Sequence, residues 1–169
     1  MIQIVAKRID KIKRKKEQEK FIEKMKNLVK KEESFRDACR EYGVDVDFID
    51  NVNISYDDNL DVSAKTVNGE IFLNGKLFDC GDMCDNVRYT VHESIHCMQQ
   101  SSGRVNERTS QEDYLDDPNE QEAFQYQVQY MNDHIPQEEV QEYLEHLLDH
   151  HDIKGKERTE KIKKLTENL

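Results

Sequence analysis

No run of apolar residues in this 169-residue chain is long enough to span a bilayer. The first apolar residues, Met1 to Ala6, are interrupted by Gln3 and end at Lys7, which is too short for a signal-peptide core. The sequence therefore predicts a soluble, cytoplasmic protein without a membrane span. Cysteine is scarce: Cys39, Cys80, Cys84 and Cys97, with no secretory leader, read as reduced thiols rather than a disulfide framework. Cys80 and Cys84 have the spacing C-x3-C, but no second Cys/His pair lies beside them to complete a structural zinc site. Hydrophobic residues are also in short supply, at 36% against 36% charged, so the chain can build only one small core and part of it must be solvated helix. A basic surplus is missing, since the net charge is −11. Residues 41–153 carry 26 acidic and 5 basic side chains. Such a body repels phosphate over a Debye length of about 8–10 Å, which excludes the electrostatic footprint of nucleic-acid binding there.

The two ends are basic. Residues 1–40 hold 14 basic and 7 acidic side chains, and residues 154–169 hold 6 and 3. This suggests a basic N-terminal helical region over 1–43, a compact body over 44–153 and a basic C-terminal tail over 154–169. From Ile9 to Val29 the apolar residues recur at helical spacing, but Lys13 to Lys20 contains none. Either one long helix projects from the body there or two helices meet, and the charge run reads as a solvated face. Opposite charges would also let the basic helix dock on the acidic body as a salt-sensitive latch. A second helix is predicted over Glu33 to Tyr42, ended by Gly43. Ile54 to Tyr56 reads as a short strand. Two Asn-Gly dipeptides, Asn68-Gly69 and Asn74-Gly75, then separate short apolar runs, the signature of two-residue hairpins in a small antiparallel meander. Helical period returns from Asp85, with Val87, Val91, Ile95 and Met98 on one face and Gly103 as the stop, followed by a polar loop from Ser101 to Asp116. Asp117-Pro118-Asn119-Glu120 opens the next helix with an N-cap, a proline at the first position and an acid at the third, and this helix runs to about Asp133. Beyond Pro136 lies a last helical region marked by Val140, Tyr143, Leu144, Leu147 and Leu148, then a Lys-rich tail broken by Gly155.

The chemistry concentrates in His92-Glu93-Ser94-Ile95-His96. On a helix, residues four apart share a face, so both imidazoles reach one metal ion, and the glutamate beside the first histidine can take a proton from a water on that metal. The neighbours Thr90, Val91, Ser94, Ile95, Cys97 and Met98 are all uncharged, as a helix buried under a sheet requires. A catalytic zinc needs a third protein ligand and an open position. The following helix offers Glu120 and Glu122. Glu120 sits where its carboxylate can serve the N-cap amide, so Glu122, followed by the small Ala123, is the preferred ligand and Glu120 the alternative. Tyr114, Tyr126, Tyr130 and His134 are candidate donors for stabilising a transition-state oxyanion. A rival cluster, His146-Leu147-Leu148-Asp149-His150 with His151, resembles a reversed zinc motif with Asp in place of Glu, although Leu147 and Leu148 more simply mark an apolar helix face.

The HExxH helix, the meander before it and the helical Glu122-Ala123 after it resemble the gluzincin metallopeptidases. The small size is similar to the minigluzincins, and Glu-Ala followed by an aromatic is similar to the ImmA/IrrE type. The resemblance covers roughly residues 54–133 and implies zinc on His92, His96 and Glu122, Glu93 as general base, and a peptide substrate paired with an edge strand. Two features depart from the pattern. Tyr126 stands four residues after Glu122, where an acid that orients a zinc histidine is usual, and the metzincin extension is absent.

The expectation is an α+β zinc endopeptidase, mostly helical with a small sheet packed on the active helix. Its protein or peptide substrate would be a basic one if the acidic body concentrates cations. Two alternatives stay open: a non-catalytic regulator or antagonist with a structural or vestigial metal site, and an acidic mimic of nucleic acid. The sequence carries no signal for oligomeric state.

Overall fold

The computed structural model describes residues 2–80, 82–104 and 114–166, with side chains from residue 10 onward. It is mostly helical and carries one three-stranded sheet, so the α+β class holds. Helix α1 (Ile2–Val29) is one continuous helix, about 40 Å long at 1.5 Å per residue. Residues 13–20 are largely exposed, while Met25 and Val29 at its C-terminal end are fully buried. Arg14 ties the exposed part to the body through Asp58 at 2.9 Å and Asp79 at 3.0 Å. Phe21 packs on Tyr56 and Phe78 with ring centroids 6.5 and 5.5 Å away. Helix α2 (Glu33–Tyr42) ends at Gly43, whose φ of 63° is the left-handed cap that glycine adopts without strain.

The sheet departs from the expected meander. Strands β1 (Ile54–Asp57), β2 (Ala64–Val67) and β3 (Glu70–Asn74) lie in the order β1-β3-β2, with β1 parallel to β3 and β2 antiparallel to it. Asn68-Gly69 does make a tight hairpin, with φ of 52° and 76°. Asn74-Gly75 does not. Asn74 caps the short helix α3 (Gly75–Asp79) by accepting from the Lys76 N–H at 3.0 Å. The glycine at 75 answers a close approach, since a Cβ there would collide with Asp58. Asn-Gly therefore serves a positive-φ turn in one place and a helix start in the other.

Helix α4 (Met83–Ser101) begins two residues before the expected Asp85, because Asp82 caps it by accepting from the Cys84 N–H at 2.8 Å. Gly103 follows its end with φ of 84°. Of the polar loop expected over 101–116, residues 105–113 lie outside the described residues. Helix α5 (Pro118–His134) starts as expected, with Asp117 accepting from the Asn119 N–H at 2.9 Å. Helix α6 (Gln137–His150) follows Pro136. The expected Lys-rich tail forms a further helix, α7 (Gly155–Leu165), whose Leu165 is fully buried and whose Arg158 bonds Glu145 and Asp149. One buried cluster takes in Met25, Phe35, Ile71, Ile95, Met131, Leu148 and Leu165, so every helix except the short α3 contributes a fully buried residue to the same core. At its centre α4 lies between the sheet and α5. No described helix is long and apolar enough to cross a membrane.

Candidate metal centre

Residues 90–99 of α4 are buried without exception, including His92, Glu93 and His96. The hydroxyls of this run are satisfied locally: the Ser94 hydroxyl donates to the Thr90 carbonyl at 2.6 Å and the Thr90 hydroxyl to that of Asn86 at 2.8 Å. The two imidazoles, four residues apart, turn their Nε2 atoms toward each other at 3.2 Å.

The third member of the group is Glu120, not Glu122. Glu120 Oε2 lies 3.4 Å from His92 Nε2 and 3.3 Å from His96 Nε2. These separations match the edges of a tetrahedron with metal–ligand bonds of about 2.0–2.1 Å, which are about 3.3–3.4 Å long. The three atoms could thus hold one metal ion between them, and among the described residues no other group of three His, Cys, Asp or Glu side chains converges in this way. The preference for Glu122 fails because of helix phase. Glu120, Ala123, Phe124, Gln127, Val128 and Met131 form the buried stripe of α5, whereas Glu122 points off that stripe. Its place in the first turn does not remove Glu120 from the group; it sets the residue one turn before Phe124, whose ring meets His92 edge-on at 4.6 Å.

Glu122 instead anchors the surroundings of the centre. Its Oε2 accepts from the Tyr42 hydroxyl at 2.6 Å, from Arg104 at 2.7 Å and from the Gln99 amide at 2.7 Å. The same Gln99 amide also donates to the Asn119 carbonyl at 3.0 Å, so its Oε1 is left facing His96 Nδ1 at 2.8 Å. An acceptor at that distance takes the Nδ1 proton, so that in the neutral ring the lone pair lies on Nε2, the tautomer a metal requires. The Glu122 carboxylate thus orients His96 through Gln99, three residues after it. Sequence reading missed Gln99, and its only signal was an amide at i+3 from a ligand.

His96 and Glu120 each favour the charged form of the other. Burial works to lower the His96 pKa, but the Glu120 hydrogen bond and the Glu120 and Glu93 charges outweigh it and raise the value to about 9. Burial likewise disfavours a charged Glu120, yet hydrogen bonds and charge from His92 and His96 hold its carboxyl well below the usual range.

An open cleft of about 570 Å³ lies beside the triad. Glu93 lines it, and the Thr66 hydroxyl of β2 lies 2.7 Å from Glu93 Oε2 and 3.0 Å from the Glu93 carbonyl, fixing the carboxylate against the sheet. Residues 62–66, on the edge of the sheet away from β3, form one wall. Three of the expected donors are elsewhere. Tyr126 bonds Glu41 at 2.6 Å, Tyr130 approaches Cys84 at 3.4 Å and His134 bonds Glu32 at 2.6 Å, and none lines the cleft. Tyr114 does line it, as do Tyr143, His146 and His150. The latter three recur at three- and four-residue steps along α6, beside its core stripe of Val140, Leu144 and Leu148. The rival histidine cluster is thus a wall of the same cleft rather than a second metal triad. Among the described residues, no part of α1 lines the cleft. The four cysteines are free thiols.

No family model, curated protein or solved structure matches the chain.

Proposed function

We propose that the chain is a zinc-dependent peptidase in which His92, His96 and Glu120 hold the metal and Glu93 is the general base. The observation that carries this reading is the triad of ligand atoms 3.2 to 3.4 Å apart beside an open cleft that also contains the motif glutamate. Two imidazoles and one carboxylate are the donor set of a catalytic zinc with a free position. Zinc bound there would supply a Lewis acid and lower the pKa of a coordinated water toward about 7. Glu93 then receives the proton of the attacking water on its carboxylate and passes it to the leaving amine. Thr66, 2.7 Å from Glu93 Oε2, holds that carboxylate in place. Gln99 keeps the His96 lone pair on Nε2. Tyr143 lies in the cleft with its hydroxyl accepting from the Gln127 amide at 2.8 Å, and burial raises its pKa, so the phenol keeps its proton for donation. The outer edge of β2 supports an extended peptide pairing by main-chain hydrogen bonds, with the scissile carbonyl brought toward the triad. These features agree with what the resemblance to gluzincins implies, apart from the identity of the carboxylate ligand.

The test combines metal analysis with a peptide-library digest. Wild type should hold one zinc and cleave. Glu93→Gln should keep the zinc and lose cleavage by about 100-fold or more, and His96→Ala should lose both. Absence of zinc in wild type refutes the reading. Zinc retained with no peptide cut would transfer the site to the regulator alternative.

A further inference from the structure

We propose that the cleft selects a substrate with an aromatic side chain next to the scissile bond and discriminates against a basic one; this deepens the peptidase reading and rests on it. The overall charge of the body argues for basic substrates, but the described residues of the cleft wall do not carry that charge. Among the described residues that line it, only Lys65, Glu93 and Glu120 are formally charged, apart from the histidines. Both acids are engaged, Glu120 with the two metal histidines and Glu93 with Thr66. A lysine or arginine head entering the cleft would be desolvated without a carboxylate of its own to meet.

The wall is built of rings instead. Starting at the metal centre, His92 meets Phe124 at 4.6 Å, Phe124 meets Tyr114 at 6.0 Å and Tyr114 stacks on His151 at 5.0 Å with an interplanar angle of 9°. All four rings line the cleft. Leu147 and Tyr143 of α6 add to it. The Tyr143 ring is held by the Arg88 guanidinium, 4.9 Å from its centroid, and by Gln127. Such a preformed surface offers ring edges and faces at the separations that aromatic pairs adopt, so an aromatic side chain gains buried area and ring contacts there at little ordering cost.

Amino-acid hydroxamates test this without requiring turnover, because the hydroxamate binds the metal and the side chain alone varies. Affinities of the phenylalanine, tyrosine, leucine, lysine and aspartate hydroxamates for the zinc-loaded full chain should favour phenylalanine and tyrosine over lysine by about 10- to 100-fold. Leu147→Glu, which places a carboxylate on the wall, should narrow the phenylalanine-to-lysine ratio by about 10-fold. His150→Glu, at an exposed position on the same wall, should move the ratio in the same direction if Leu147→Glu does not fold. Equal affinities, a preference for lysine, or a ratio unmoved in both folded variants would overturn the inference while leaving the zinc site standing. Failure of wild type to bind zinc would instead refute the peptidase reading beneath it.

Discussion

Two glutamates separated by one residue have opposite assignments here, and single substitutions separate them. Glu120→Ala removes a ligand atom and should abolish stable zinc retention. Glu122→Ala leaves the ligands in place but frees the Gln99 amide, so zinc affinity measured by chelator competition should fall by about 10- to 100-fold. Glu122→Gln keeps an acceptor for Gln99, Tyr42 and Arg104 and should stay close to wild type. Loss of zinc from Glu122→Ala with full retention by Glu120→Ala would reverse the assignment. The grouping of His92, Glu93 and His96 is legible in the sequence because it depends only on spacing along one helix. The third member of the triad depends on which face of α5 meets α4. That face is partly legible too: Phe124, Val128 and Met131 mark the packing stripe, and one turn back from Phe124 is Glu120. Capping chemistry obscured it, because a third-position acid has a local role that is visible in sequence, whereas its tertiary role is not. Gln99 was beyond reach, since an amide gains its function only from the carboxylate that turns it.

Elements were easier to recognise than their pairing. Helix periodicity located α2, α4 and α5 to within about two residues, a common uncertainty for helix ends, and marked α6 as a helical region after Pro136. Strand order was not legible, because the short link between β1 and β2 does not reveal that β3 inserts between them; sequential strands are neighbours only about two-thirds of the time. This order matters to the site. It leaves β2 as an edge strand over α4, where Thr66 reaches Glu93. Thr66→Val keeps the shape and β-branching of the side chain while deleting that hydrogen bond. Zinc content should be unchanged and thermal stability should fall by only about 1 kcal/mol, the usual worth of one hydrogen bond. Peptide cleavage should drop by about 10-fold, since each 1.36 kcal/mol of lost orientation is a factor of ten in rate. A Thr66→Ser variant, which retains the hydroxyl, should recover most of it. If Thr66→Val cleaves at the wild-type rate, Thr66 does not position the base.

For the whole molecule, the charge blocks of the sequence and the packing of the fold follow different boundaries. The core draws Met25 from the basic N-terminal stretch and Leu165 from the basic C-terminal one, joined to the acidic middle. Composition could not show this, because it averages over exposed and buried faces. It also could not show that the buried triad opposes stability and metal binding in their dependence on pH. In the metal-free protein the His96 pKa is raised to about 9 by its carboxylate neighbours, so the stability that His96 contributes is fully present below its unfolded value of about 6.5 and is lost as pH rises toward 9. Glu120, held low by the two histidines, contributes stability above its unfolded value of about 4.3 and loses it only as pH falls below that. Zinc requires His96 without its Nε2 proton, so each ion bound between pH 6.5 and 9 displaces a proton and the apparent affinity should rise about tenfold per pH unit. Thermal melting in chelator and in saturating zinc should therefore diverge across this range, the chelated protein losing stability while the zinc-loaded protein gains on it. Parallel curves from pH 6.5 to 9 would show that no protonated histidine stands where the metal binds.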